Sequence, residues 1–219
     1  MIRFRLQSPV RAFIAAVLLP VVAGCHTPKQ SEIAGTKEES VKPLTDRSLY
    51  QTQAKWITDS GKEVTLASLR GRPQVVVMFF SHCQMACPIL VHNLQTIESS
   101  LQPELRARVG FTLVSIDPRR DTPAALAEFR QSRHLTSGTW TLLHGETDDI
   151  LELAALLGVK YKEEATGQFS HSNLITVLNS GGEIDHQWEG LAQDTKAIVR
   201  EIETLLSSTH ASVKSIHTL

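Results

Sequence analysis

The sequence predicts an α/β domain, with a mostly parallel central sheet, antiparallel edge hairpins and flanking helices. First, strand-like and helix-like segments alternate through most of the chain. Second, the apolar runs at residues 74–80 (QVVVMFF) and 109–117 (VGFTLVSID) have the composition of strands buried on both faces. Third, two later strand-like segments flank Asn-Ser-Gly-Gly, which predicts a hairpin turn and therefore antiparallel pairing.

Each element has its own local signal. Residues 56–70 form a hairpin around Asp59-Ser60-Gly61 and a short turn, and the first buried strand follows. Apolar residues at helical spacing predict a helix over residues 88–101, and a threonine cap followed by proline begins another at residue 122. The domain is completed by four further elements: a strand (TWTLLHG), a helix ending at Gly158, the late hairpin and a helix over residues 194–208. The order β-hairpin, β, α, β, α, β, α, β, β, α matches the thioredoxin-like architecture.

The N-terminal part differs in composition. Three arginines and no acid precede a 12-residue apolar run at residues 12–23, which has signal-peptide length and is too short to span a bilayer. The run ends in Val-Ala-Gly-Cys25, which resembles a bacterial lipobox; the other interpretation is an ordinary signal peptide with an unmodified cysteine. We therefore predict a signal peptide (1–24), a lipidated Cys25 with a flexible tether (25–54), the domain (55–208) and a polar tail (209–219).

This organisation predicts a domain in the bacterial cell envelope, lipid-anchored to a membrane and outside the cytoplasm; the choice of inner or outer membrane stays open. The formal net charge is −1, so the chain lacks the basic excess of a nucleic-acid-binding protein. Three cysteines are too few for a small fold held together by disulfides. No feature of the sequence indicates oligomerisation, so a monomer is expected. If Cys25 is acylated, only Cys83 and Cys87 remain as thiols in an oxidising compartment, where a reductant or a ligand must keep them reduced.

The segment SHCQMACP (81–88) contains this cysteine pair. Proline is favoured in the first turn of a helix, so Pro88 places the pair on the preceding loop and Cys87 near the N-cap, where the pKa of a thiol is lowered. A C-x-x-x-C pair can form a disulfide or bind a metal. Two thiolates favour copper(I) or zinc, but structural zinc requires four ligands and the domain has no further cysteine. Copper is favoured if a nitrogen donor lies nearby.

His171 is the candidate for that donor. It lies in GQFSHSNLITVL, directly before a predicted strand, near the position where thioredoxin-like folds carry a cis-proline beside the cysteine loop. Met85 is interpreted as a loop or partner-facing residue and His82 as a residue outside the ligand set. A loop-fixing charge network is expected from Asp117, Arg120 and Asp121. His210 and His217 are assigned to the solvated tail.

The sequence resembles the SCO/SenC (PrrC) family of copper-binding, thioredoxin-like proteins that help to assemble cytochrome c oxidase. The resemblance rests on FFSHCQMACP, VSIDPRRDTP, WTLLHG, LGVKY and FSHSN, in the family's order over residues 56–206. It implies that Cys83, Cys87 and His171 bind copper, as copper(I), copper(II) or both. It also implies delivery of that copper to the binuclear site of oxidase subunit II. The chain departs from the family where Gln84-Met85-Ala86 replaces an aspartate-containing interior and Ser170 replaces a common acid.

The competing hypothesis is an enzyme, a thiol–disulfide oxidoreductase in which Cys83 and Cys87 are the catalytic redox pair. Some members of the family are implied to reduce the disulfide of the receiving copper site; redox defence or signalling is another role for such a pair. The expected partners are copper, the oxidase subunit or a similar recipient of the copper, and a thiol reductant or an upstream copper donor. The metallochaperone requires His171, whereas the oxidoreductase does not.

Overall fold

The computed structural model describes the backbone of residues 43–215 and the side chains of residues 43–207. The predicted signal peptide, Cys25, most of the tether, His210 and His217 therefore lie outside the described side chains. Within the described part, no helix is both long enough and apolar enough to cross a bilayer.

The domain is built on one seven-stranded sheet and a separate two-stranded hairpin. In chain order the strands are β1 (Trp56–Thr58), β2 (Glu63–Val64), β3 (Gln74–Phe79), β4 (Gly110–Ser115), β5 (Trp140–Gly145), β6 (Tyr161–Glu163), β7 (Phe169–His171), β8 (Leu174–Leu178) and β9 (Ile184–Glu189). The order in the large sheet is β2-β1-β5-β4-β3-β8-β9. The central strands β3, β4 and β5 are parallel, and the outer strands join them antiparallel. The predicted fold class is confirmed.

The helices are α1 (Ala86–Ser100), α2 (Pro103–Arg106), α3 (Pro123–Ser132), α4 (Thr147–Leu157) and α5 (Thr195–Ser215). Two predicted boundary signals are confirmed. The Thr122 hydroxyl accepts the Ala125 N–H at the start of α3. Gly158 ends α4 with a left-handed φ of 71°, which glycine adopts without a steric penalty.

The buried centre of the sheet positions the functional loops. All six residues of β3 and all six of β4 are buried, and the α1 residues Leu90, Leu94 and Ile97 pack on the same core. Because β3 and β4 are parallel neighbours, the loops that follow them emerge at the same edge of the sheet. The cysteine loop follows β3, and the loop carrying Asp117, Arg120 and Asp121 follows β4.

The structure differs from the sequence prediction at two boundaries and in one additional hairpin. The domain begins before residue 55, because Leu49 and Tyr50 in a 3-10 turn are buried and the Leu49 N–H donates to the Gly182 carbonyl at 2.9 Å. Helix α5 passes its predicted end at residue 208 and continues to Ser215. The β6–β7 hairpin was not predicted, because three-residue strands with exposed polar positions lack a measurable periodicity.

Candidate metal centre

Cys83 and Cys87 lie at the junction of β3 and α1. The predicted N-cap position of Cys87 was wrong: Met85 is the N-cap, and Cys87 is the second residue of the helix. Pro88 is then the third residue, where a missing N–H breaks no intrahelical bond, so the helix can begin two residues before the proline. Cys83 still lies on the loop, and its Sγ accepts the Cys87 backbone N–H at 3.3 Å.

The two thiols have opposite electrostatic environments. Burial raises the pKa of Cys83, but backbone N–H groups of Cys87, Met85 and Ala86 outweigh it, and the net pKa is lowered. Burial raises the pKa of Cys87 far above its ordinary value, and the N–H of Phe80 offsets this only in part. The expectation that the helix N-terminus lowers the pKa of Cys87 was therefore wrong, because desolvation dominates there. Cys83 is the thiol with thiolate character, and neither cysteine is in a disulfide.

His171 is the last residue of β7, and its ring faces the cysteine pair. Its Nε2 lies 3.6 Å from Cys87 Sγ, and its Nδ1 lies 3.0 Å from the Ser172 carbonyl oxygen. A carbonyl only accepts, so the hydrogen is assigned to Nδ1, which leaves the lone pair on Nε2. Burial lowers the pKa of His171, and the Ser172 carbonyl offsets this in part. The ring is therefore neutral and presents an acceptor nitrogen to the two sulfurs.

The donor atoms of Cys83, Cys87 and His171 lie within 4.8 Å of one another. Bonds of about 2.3 Å to sulfur and about 2.0 Å to nitrogen, at trigonal angles, separate the two donors by about 3.7 Å. The 3.6 Å between Cys87 Sγ and His171 Nε2 matches this spacing. Two thiols and one imidazole suit a soft, low-coordinate ion such as copper(I). The three predicted residues are brought together, and their role as ligands stays a prediction.

His171 is held by a segment that we call the histidine hairpin, residues 161–171. Its turn carbonyl at Gly167 accepts a hydrogen bond from Arg120 Nη2, and the Arg120 guanidinium lies 5.8 Å from the centre of the Phe169 ring. Phe80, which precedes the cysteine loop, packs edge-on against Phe169 at 5.4 Å and against His171 at 5.9 Å. The aromatic contacts and Arg120 together set the distance between the histidine and the cysteines.

The charge network after β4 is confirmed. Asp117 is fully buried and pairs with Arg120. Asp121 is also fully buried; it accepts the Ser81 N–H at 3.0 Å, the Ser81 hydroxyl, and the Ser115 hydroxyl at 2.6 Å. Because protein donors occupy both carboxylates, these aspartates support the cysteine loop and the histidine hairpin rather than bind an ion.

The other residues beside the pair match their interpretation. The His82 side chain is 53% exposed, and its Nδ1 lies 2.9 Å from Ser81 Oγ. Met85 is 82% exposed and points away from the core. Neither joins the Cys83–Cys87–His171 cluster.

Sequence reasoning missed Phe80, Phe169 and the hairpin contacts of Arg120. One signal was present: Gly167, with φ of 75°, lies between the short strands and is typical of a tight turn. The aromatic and arginine contacts join residues 40 or more positions apart in the sequence, so no local sequence pattern predicts them.

The sequence matches the model of the SCO1/SenC family over residues 43–207. A curated relative, the SCO1 protein homolog of Bacillus subtilis, is 26% identical over 134 residues, which are 60% of this chain and 69% of the relative. The matched region includes the N-terminal turn at Leu49–Gln51 that the predicted domain boundary had excluded.

Solved structures share the fold. A SCO1/SenC family lipoprotein from Bacillus anthracis has a TM-score of 0.66 at 22% identity, covering 76% of this chain and 99% of its own. Arabidopsis thaliana ScoI with copper bound has a TM-score of 0.62 at 20% identity, covering 71% and 96%. BsSco, described as a member of the Sco family of cytochrome c oxidase assembly proteins with a disulfide switch, has a TM-score of 0.62 at 20% identity, covering 75% and 96%.

The donor set, the thioredoxin-like sheet and the extent of the sequence match agree with one another. A family model that covers three quarters of the chain leaves no separate domain among the described residues to be explained by another family. The chain belongs to the SCO1/SenC family.

Proposed function

We propose that this protein is a membrane-anchored copper chaperone that binds copper through Cys83, Cys87 and His171 and delivers it to the copper site of cytochrome c oxidase subunit II. The observation that carries the proposal is the convergence of two sulfurs and one imidazole nitrogen within 4.8 Å. The copper-bound Arabidopsis relative supports the choice of metal.

The residues have distinct roles in holding the cargo. Cys83 presents a thiol whose pKa is lowered by backbone N–H groups, so it gives up its proton to a binding ion more readily than an ordinary cysteine does. Cys87 must lose its proton when the ion binds, because its pKa is raised and a thiolate is the ligand form. His171 is neutral, and its fixed tautomer presents Nε2 without reorientation.

The site is accessible enough for transfer to a recipient. Cys83 and His171 are half-buried, and Met85 and Ile89 beside them are exposed apolar residues. Three protein ligands leave a coordination position through which a recipient's donor can enter before Cys83 and His171 release the ion. An exposed rim of this kind fits ligand exchange better than storage in a closed site.

Membrane anchoring is supported by the Val-Ala-Gly-Cys25 motif and by the description of the Bacillus anthracis relative as a lipoprotein. In this proposal the tether holds the monomeric domain outside the cytoplasmic membrane, within reach of an oxidase in that membrane. An upstream copper donor and a thiol reductant supply the ion and the reduced cysteine pair.

Copper(I) titration against a competing chelator tests the ligand set. In the reduced protein, His171→Ala is expected to lower copper(I) affinity by at least tenfold, because one of three donors is lost. His92→Ala, an exposed histidine on α1, is the matched control and should bind like the parent. If His171→Ala binds copper(I) with the parent's affinity and stoichiometry, the three-ligand site is wrong.

A second function, thiol–disulfide oxidoreductase, is favoured by the unequal thiols. In this reaction the Cys83 thiolate attacks a disulfide of the recipient, forms a mixed disulfide and releases one recipient thiolate, which takes up a proton. Cys87 then loses its proton and attacks the Cys83 sulfur, which releases the second recipient thiol and leaves a Cys83–Cys87 disulfide. The pair supplies both electrons, and an external thiol reductant restores it.

Turnover with a disulfide-bearing subunit II fragment separates the two functions. An oxidoreductase reduces the fragment in the absence of copper, and His171→Ala retains that rate, whereas Cys83→Ser abolishes it. A chaperone transfers copper to the reduced fragment, and His171→Ala impairs the transfer. Failure of transfer by the parent protein, with reduction intact, would leave the oxidoreductase as the function.

A further inference from the structure

A second cluster of metal-ligating side chains lies where strand β9 packs against α5. It consists of Asp185 and His186 from β9 and Glu201 from α5. His186 Nδ1 lies 3.3 Å from Asp185 Oδ2 and 3.7 Å from Glu201 Oε1. All three side chains are partly accessible, and none belongs to the Cys83–Cys87–His171 centre.

A β-bulge brings the two β9 residues together. Ile184 pairs with Leu178 and His186 pairs with Val177, so Asp185 has no partner on β8 and the register shifts by one residue. Adjacent residues of a regular strand point to opposite faces, and a bulge re-aims one of them. The 3.3 Å contact shows that Asp185 and His186 converge on the side where Glu201 lies.

The imidazole ring is also oriented by packing. His186 stacks on Trp188, two residues further along the same face of β9, with ring centroids 5.3 Å apart and planes inclined by 27°. A ring held in this way loses less rotational freedom when it binds an ion. Its Nδ1 faces the two carboxylates, and the side chain is 55% exposed, so an ion can reach it from solvent.

Among the residues whose side chains are described, no lysine or arginine pairs with Asp185 or Glu201; their ionic contacts are with His186. The two carboxylates place two negative charges beside the His186 ring, which a divalent cation balances. Two ligands on a tetrahedral ion with bonds of about 2.0–2.1 Å lie about 3.4 Å apart, close to the observed 3.3 and 3.7 Å.

From this geometry we infer that Asp185, His186 and Glu201 form a second metal site, which takes a divalent first-row transition ion through one imidazole nitrogen and two carboxylate oxygens. Nitrogen and oxygen donors without sulfur suit copper(II) or zinc(II) and not copper(I), and copper(II) binds most tightly in the general affinity order. The site therefore differs in oxidation-state preference from the thiol centre. It does not depend on the proposed delivery function.

The test uses the full-length chain carrying Cys83→Ser, Cys87→Ser and His171→Ala, so that the thiol centre no longer binds. Copper(II) chloride or zinc chloride is titrated by calorimetry, and pulsed EPR of the copper(II) sample detects a coordinated imidazole. One ion is expected to bind with micromolar affinity and to give the signal of a single imidazole. Adding His186→Ala should abolish that signal, and Glu201→Gln should weaken binding by about tenfold.

Matched controls locate the ion. His92→Ala and the pair His210→Ala/His217→Ala remove other histidines and should leave the affinity unchanged. Thermal unfolding verifies that each variant is folded. The inference is overturned if His186→Ala retains the imidazole signal, if the signal disappears with a control substitution, or if the parent binds only at millimolar concentrations.

Discussion

Arg120→Ala is expected to weaken copper(I) binding even though Arg120 does not contact the metal. Arg120 joins the buried Asp117 to the histidine hairpin through Gly167 and Phe169. Without it, the hairpin that carries His171 is held by the packing of Phe80 against Phe169 and His171 and by the exposed Arg119–Glu163 pair. Exposed ion pairs stabilise by only about 0–1 kcal/mol, so Arg119 is a weak substitute for Arg120.

The magnitude follows from the two interactions with the hairpin that the substitution removes. A hydrogen bond from a charged group to a carbonyl contributes about 1.5–3 kcal/mol, and a partly exposed cation–π interaction about 0.5–1 kcal/mol. The anchoring of the hairpin therefore weakens by about 2–4 kcal/mol. If between roughly one third and two thirds of this is needed to dock His171 before binding, the affinity falls by about 3- to 90-fold, since about 1.4 kcal/mol is a factor of ten.

Copper(I) competition titration and hydrogen exchange measure this effect together. In Arg120→Ala, the amides of residues 161–171 should exchange faster and copper(I) affinity should fall, whereas Arg119→Ala should change both only slightly. Arg120→Ala also leaves Asp117 buried without its cation, so Asp117→Asn/Arg120→Ala is included to remove that charge. If the double variant binds copper(I) like the parent while the hairpin exchanges faster, positioning by Arg120 is refuted.

Two further predictions concern the thiols and the domain boundary. Iodoacetamide should modify Cys83 first, at a pH below that of an ordinary thiol, and should leave Cys87 unmodified through mildly alkaline pH. With respect to folding, the lowered pKa of Cys83 contributes stability above its unfolded pKa that is lost as pH falls through the folded pKa. The raised pKa of Cys87 contributes stability that is lost as pH rises towards its folded pKa. Peptide mapping of the iodoacetamide-treated protein that found Cys87 modified first would contradict both pKa assignments. Tyr50→Ala should lower the free energy of unfolding in urea by about 3–5 kcal/mol, because it removes a buried aromatic ring. Gln51→Ala, at an exposed position, should change this free energy little. Equal effects of the two substitutions would mean that the N-terminal turn does not pack on the domain.

The fold class and the identity of the candidate ligands could be predicted from the amino-acid sequence alone. Buried parallel strands require continuous apolar runs, and helix ends require capping residues and glycine. These features can therefore be recognised from local sequence patterns. The cysteine pair before Pro88 and the isolated His171 were readable because few residue types supply sulfur and nitrogen donors.

How those residues work together depends on contacts that form only in the folded domain. Which thiol has the lowered pKa depends on the balance between burial and amide donors, and that balance assigns it to Cys83 rather than Cys87. The placement of His171 depends on Phe80, Phe169 and Arg120, which are distant in sequence. The convergence of Asp185, His186 and Glu201 depends on a register shift and on helix packing. Contacts of this kind join distant segments, and only the folded chain specifies their distances.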